Sequence, residues 1–252
     1  PTPGGVQFGQ DVHTVTKVND FKNTMDTFIQ VFNSEGLSSL LKHVVGVVVQ
    51  IGVEFEDKTV MQFNEEPAKE LSSVLCDYPG IFFEAHSTDY QPKTTLRKIT
   101  NCGVRILKVG PALTFALREA LYALEMIEVE MYKAHPNTIL SNFKAVLNKT
   151  MLEDKKYWVK HYCGNEFDIN FSLNYSLLDR SRYYFNNEQV KSSIDVLMKN
   201  VSSVDIPDSL LSQYMSCQYE KVLEGILDKT PLSLIKSRIN DRLEHYYFAC
   251  KE

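Results

Sequence analysis

Three short apolar runs, each bounded by turn residues and each followed by helical periodicity, constrain this chain more than any other feature. The first, Val44-Val-Gly-Val-Val-Val-Gln-Ile, is almost uninterrupted in β-branched residues. Such a run suits a strand covered on both faces, as in a parallel sheet. The second is Gly80-Ile-Phe-Phe-Glu-Ala-His and the third Gly103-Val-Arg-Ile-Leu-Lys-Val-Gly-Pro. Around them, Phe21, Met25, Phe28, Ile29 and Phe32 recur every three to four residues, which predicts a helix over 20–33 closed by Gly36. Further helices are expected over 37–41, 67–75 with Pro67 in its first turn, 95–100, and along Leu113, Leu117, Leu121, Leu124, Ile127 and Met131.

Strand–helix alternation of this kind predicts an α/β fold with a parallel sheet, either doubly wound or a (β/α)8 barrel. Three strands cannot close a barrel. The barrel reading therefore makes residues 1–134 the C-terminal portion of a TIM barrel, its last three strands and their helices. The opening Pro1-Thr-Pro-Gly-Gly, without an initiator methionine or a signal-peptide layout, fits the expectation that these residues begin inside a longer protein. From His135 the strand signal stops. Residues 135–252 are expected to form a helical C-terminal appendage, with helices over 139–151, 181–201, 210–227 and 232–248, and an extended piece at Phe167–Leu173 after Gly164.

Charge and cysteine content narrow the function classes. The net charge is −5, the isoelectric point lies near 5.7 and lysines and arginines do not cluster, which argues against nucleic acid or an anionic membrane as partner. No apolar run approaches the ~20 residues that span a bilayer. Five widely spaced cysteines, Cys76, Cys102, Cys163, Cys217 and Cys250, form no C-x-x-C pair and read as reduced thiols of a cytoplasmic protein.

Alternation along the strands also selects site residues. On the second strand Ile81, Phe83 and Ala85 suit the helix-covered face, leaving Phe82, Glu84 and His86 opposite. On the third, Leu107 and Val109 suit the helices, leaving Val104, Ile106 and Lys108. On the first, Val45, Val47, Val49 and Ile51 do, leaving Gly46, Val48 and Gln50. Gln50, Glu84, His86 and Lys108 thus fall toward the C-terminal strand ends, where barrel sites are built. They suit a ligand pocket, with Lys108 for a phosphate or carbonyl, Glu84 as its counter-charge and His86 as proton donor, acceptor or metal ligand. The plainer reading is a Lys–Glu plug that fills the mouth. Asp89, on the following loop, either reaches the pocket or caps a turn. Arg180 and Arg182, with Tyr183 and Tyr184, either offer anion-binding guanidiniums or form a charged helix start packed on aromatics. Pro3-Gly4-Gly5 is either a phosphate-contacting turn or an ordinary one. His13, His43, His135, His161 and His245 lack ligand spacing, so His86 is the one candidate for a metal.

The segments Val47-Val-Val-Gln-Ile-Gly-Val-Glu-Phe, Phe83-Glu-Ala-His-Ser-Thr-Asp-Tyr-Gln, Ile106-Leu-Lys-Val-Gly-Pro-Ala-Leu-Thr-Phe-Ala-Leu-Arg-Glu-Ala, Tyr175-Ser-Leu-Leu-Asp-Arg-Ser-Arg-Tyr-Tyr and Val204-Asp-Ile-Pro, with Pro3-Gly-Gly and Ser212-Gln-Tyr, resemble the non-catalytic subunit family of class II tagatose-bisphosphate aldolase along the whole chain. Ile51, Phe185 and Ser216 depart from residues common in that family. The resemblance implies a fold similar to class II aldolases and a subunit that stabilises and activates a separate catalytic partner in galactitol and tagatose 6-phosphate breakdown. It implies zinc in that partner and no cofactor in this chain, and it leaves self-association and a sugar-phosphate ligand open. The family has also carried a tagatose 6-phosphate kinase label, but no Walker-type or kinase-like glycine loop occurs here. A chain catalytic in its own right would need further metal ligands beyond His86 and Glu84.

Overall fold

The computed structural model describes residues 14–251, so Pro3-Gly4-Gly5 and His13 lie outside the described residues. The chain is α/β, with a small parallel sheet and many helices, and it divides into two compact units.

The strand unit runs to Gly110 and is joined by the chain from Glu244 onward. Its sheet has the order β1 (Gly46–Val49), β2 (Phe82–Ala85), β3 (Val104–Leu107), all parallel. Helices α1 (Val18–Ser34), α2 (Glu65–Ser72) and α3 (Lys93–Asn101) accompany it. The α2 helix starts two residues before Pro67, because Asn64 accepts the Glu66 N–H and so supplies the cap. One face of the sheet is a core. Val49, Ile51, Phe83, Ala85 and Val104 are buried there with Phe21, Met25, Leu96 and Ile99 from the helices, and Phe21 packs edge-on to Phe83 at 5.4 Å. Each large apolar side chain so buried stabilises by about 1.5–3 kcal/mol.

Two strand assignments change. Val104, expected opposite Leu107, is fully buried beside it. Phe83 pairs with Val104 but Glu84 pairs with Ile106, so Arg105 is an extra residue in a bulge that resets the alternation. Ile106 and Lys108 keep their expected face. Val45 is 52% exposed because pairing begins only at Gly46. Gly103, which enters β3, has φ +85°, and a Cβ there would meet the Leu75 side chain at 2.3 Å, so only glycine fits.

The helical unit spans Pro111–Leu243. It holds α4 (Ala112–Tyr132), α5 (Phe143–Glu153), α6 (Glu166–Tyr175), α7 (Glu188–Ser202), α8 (Asp208–Tyr214), α9 (Ser216–Leu223) and most of α10 (Pro231–Cys250). Leu121, Leu124, Ile127, Phe143, Leu147, Met151, Trp158, Leu197, Leu211 and Leu234 form its core. The sequence reading places α4 with the strands and the boundary after residue 134; α4 in fact packs against α5, α7 and α8. Its apolar residues spread around much of the helix, so periodicity alone does not say which neighbours it meets.

The segment 167–173, expected to be extended, is helical in α6. Apolar residues at every second position imitate a strand, but Asn165 and Asp168 form a reciprocal capping box that nucleates the helix. Phe167 is left 75% exposed as a result. The expected single helix over 210–227 breaks into α8 and α9 at Met215, whose φ of −140° is not helical.

Candidate functional site

The expected strand-end residues separate into those that hold loops and those that remain available to a ligand. Gln50 belongs to the first group. Its Oε1 accepts the N–H groups of Gly52 at 2.9 Å and Val53 at 3.2 Å, so its amide closes the turn after β1. Asp89 does the same more strongly. It is 1% exposed, and both carboxylate oxygens accept the Gly110 N–H, at 2.9 and 3.0 Å, which ties the loop after β2 to the end of the β3 segment. A charged acceptor for a backbone N–H makes a stronger bond than a neutral one.

Glu84 and His86 project from the same face of β2 and its extension, and both are partly exposed. His86 Nε2 lies 2.8 Å from Glu84 Oε1. A carboxylate only accepts, so Nε2 carries the proton of that bond, which leaves Nδ1 facing away from Glu84. The expected counter-charge role of Glu84 toward Lys108 is not realised: the partner of Glu84 is His86. Lys108 is exposed and its ammonium has no partner among the described residues, although its backbone is held twice, with Lys108 N–H donating to Ala85 O at 2.9 Å and Thr88 Oγ1 donating to Lys108 O at 2.9 Å. A buried Lys–Glu plug is therefore absent.

The connecting loop is more ordered chemically than its sequence suggests. Ser87, Thr88, Asp89 and Gln91 are all buried. Ser87 at φ 55° and Tyr90 at φ 63° adopt left-handed backbone, which costs energy in non-glycine residues and persists only where surrounding bonds hold it. Those bonds are present: Gln91 donates to Met61 O at 3.0 Å, and the Tyr246 hydroxyl donates to Thr88 O at 3.1 Å. Sequence reasoning missed Thr88, Gly110 and Tyr246, since nothing in a local pattern announces a bond across 158 residues.

Arg180 and Arg182 lie in the helical unit, and their guanidiniums are engaged. Arg180 Nε donates to Tyr157 O at 2.6 Å and its terminal nitrogen sits 2.7 Å from His161 Nε2. Arg182 donates to the carbonyls of Leu178 and Asp179, and both guanidiniums lie over the Tyr183 ring. Partial burial, reinforced by Arg180, Arg182 and Lys160, lowers the His161 pKa from its ordinary value. The charged start packed on aromatics is thus the geometry observed.

A second set of polar groups that the sequence did not single out is buried nearby in the same unit. Arg118 is 1% and Asp179 0% exposed, and their charged groups meet at 3.3 Å. Arg118 also donates to Ser176 O at 3.1 Å, and Ser181 Oγ donates to Asp179 at 2.7 Å. Glu128, also fully buried, accepts from the Ser141 N–H and hydroxyl and from Asn200 Nδ2. One arginine inside the apolar run of α4 is the only sequence signal for the first network.

A catalytic zinc takes about three protein ligands, whereas among the described residues no three His, Cys, Asp or Glu side chains converge. Among the described residues His86 and Glu84 form a pair without a third. The five cysteines are free thiols, and burial raises the pKa of Cys102.

Comparison with known proteins adds a family. The model of the family described as "D-tagatose-1,6-bisphosphate aldolase subunit GatZ/KbaZ-like" matches residues 1–251. Proteins named D-tagatose-1,6-bisphosphate aldolase subunit GatZ from Escherichia coli O1:K1 / APEC and from Escherichia coli O9:H4 (strain HS) are each 39% identical over 253 residues, covering 100% of this chain and 59% of theirs. The chain thus spans about three-fifths of the length of these relatives. A crystal structure described as a probable tagatose 6 phosphate kinase from Sinorhizobium meliloti 1021 superposes with a TM-score of 0.89 at 34% identity, covering 94% of this chain and 60% of that one.

Proposed function

The chain belongs to the D-tagatose-1,6-bisphosphate aldolase subunit GatZ/KbaZ-like family, and on that premise we propose that it serves as a stabilising, activating subunit of a class II tagatose-1,6-bisphosphate aldolase in cytoplasmic sugar-phosphate breakdown. Its catalytic partner carries the zinc. The observation that carries this reading is the family match along residues 1–251, and the strand ends, where His86 and Glu84 are bonded to each other and the Lys108 ammonium is exposed, are polar enough to meet a phosphosugar. We further read the sheet as part of a TIM barrel. Three parallel strands paired in chain order, β1-β2-β3, are what a barrel segment requires, whereas a doubly wound sheet reverses order at its switch point.

In this reading Lys108 contacts the phosphate, His86 offers Nδ1 to a sugar hydroxyl, and Glu84 orients His86. Gln50 and Asp89 shape the loops around them. Arg180 and Arg182 are left to the architecture of the helical unit. No reaction step is assigned to this chain.

The test is co-expression of the intact protein with a class II aldolase catalytic subunit. The expected outcome is a higher yield and specific activity of the partner, and an unchanged partner refutes the subunit role. In parallel, a sugar bisphosphate should raise the melting temperature of the wild type and not of Lys108→Ala. Equal stabilisation of both would remove Lys108 from the site.

A further inference from the structure

The end of α10 returns to the strand unit after an excursion through the helical unit. Its last turns do more than cover apolar surface. Ala249 is buried in the strand-unit core, and Thr100 Oγ1 donates to Ala249 O at 3.1 Å. Arg97 donates to Phe248 O and lies over the Phe248 ring at 4.9 Å. Cations near the final carbonyls of a helix interact favourably with its dipole. These contacts fix the tail along α3.

With the tail so fixed, Tyr246 addresses the loop that carries the candidate site. Its hydroxyl donates to Thr88 O at 3.1 Å and lies 3.5 Å from Thr88 Oγ1. Thr88, 0% exposed, in turn donates its hydroxyl to Lys108 O. Two residues before Thr88 stands His86, and the next residue is Asp89, bound to Gly110. A line of hydrogen bonds therefore runs from the C-terminal segment to the backbone of Lys108, through a loop whose left-handed Ser87 and Tyr90 need external support.

We propose that the last turns of α10 clasp the β2–α3 loop and that Tyr246 is a positioning residue, holding Thr88 and thereby setting where His86 and Lys108 stand for a phosphate-bearing ligand. The choice of ligand rests on the function proposed above; the clasp does not. Loss of one such hydrogen bond changes a local equilibrium by about two- to tenfold.

The experiment uses the full chain with Tyr246→Phe, which keeps the ring and removes only the hydroxyl, and with Tyr247→Phe as a control at a neighbouring exposed tyrosine. Amide hydrogen exchange is read across residues 86–91 and 106–110, with α2 as internal reference. Tyr246→Phe should speed exchange in those two segments about two- to tenfold while leaving α2 and the Tyr247→Phe protein unchanged. Exchange that is unaltered, or that rises equally in α2, overturns the clasp, because a merely structural tyrosine loosens the unit as a whole. A second arm titrates inorganic phosphate. If the wild type binds, Tyr246→Phe should weaken binding by a similar factor, and in combination with Lys108→Ala should add nothing further; additive losses would overturn the positioning role. If the wild type does not bind phosphate, the ligand assignment fails and the positioning role with it, while the exchange arm still decides whether the clasp exists.

Discussion

The buried network of the helical unit and the strand-end site of the other unit handle charged groups in opposite ways. In the helical unit, Arg118, Asp179 and Glu128 are fully buried and meet several partners each. In the strand unit, Glu84 and His86 are partly exposed and share one bond, and the Lys108 ammonium is exposed with no partner among the described residues. The difference separates architecture from recognition. A buried charge held by an opposite charge and by hydrogen bonds fixes one arrangement of helices and has little left to offer a ligand. A charge on a rigid backbone with its own valences open is what a binding site needs.

The largest effect that should follow is on stability. Arg118→Ala leaves Asp179 charged, buried and without its cation, which costs about 3–5 kcal/mol. Thermal or urea unfolding should show a large loss for this variant. Asp179 has φ 42°, a left-handed conformation that asparagine tolerates, so Asp179→Asn tests the charge without new backbone strain. A small effect of both variants would erase the contrast between the units. Lys108→Ala should behave in the opposite manner, with stability within ~0.5 kcal/mol of wild type. Its consequence should appear only in ligand binding. A large stability loss there would show that Lys108 is architectural after all.

Much of the fold was legible in the sequence, and the failures have physical causes. The three strands and most helices follow from period and turn residues, because those patterns are local. The side of the sheet carrying Glu84, His86 and Lys108 was legible for the same reason. Val104 was assigned to the wrong face because the bulge at Arg105 depends on how β3 pairs with β2, which no single strand reveals. The Phe167–Leu173 segment misled through a period-two pattern that a capping box overrides. Within the site, the partners of Gln50, Asp89 and Thr88 lie where chain distance gives little guide: Gly52 is a neighbour, Gly110 is 21 residues away and Tyr246 is 158 away. The pairing of Asp179 with Arg118 was hidden by a motif, Asp179-Arg180-Ser181-Arg182, that offers nearer cations.

The smallest expected effect concerns pH and sharpens the contrast from the helical side. His161 faces Arg180 at 2.7 Å, with Arg182 and Lys160 also disfavouring its protonation, and burial is the leading cause of its lowered pKa. Folding therefore releases protons from this group. A lowered folded pKa contributes stability that is fully present above the unfolded value of 6.5 and is lost as pH falls through the folded value. Because the ring is only partly buried, the slope should be shallow. Wild-type stability measured from pH 7.5 to 5 should decline more steeply than that of His161→Gln, whose side chain cannot titrate but can still accept from Arg180. Parallel declines would mean that the guanidinium–imidazole contact is not held in solution, and Arg180 would then be available to an anion in the way its sequence context first suggested.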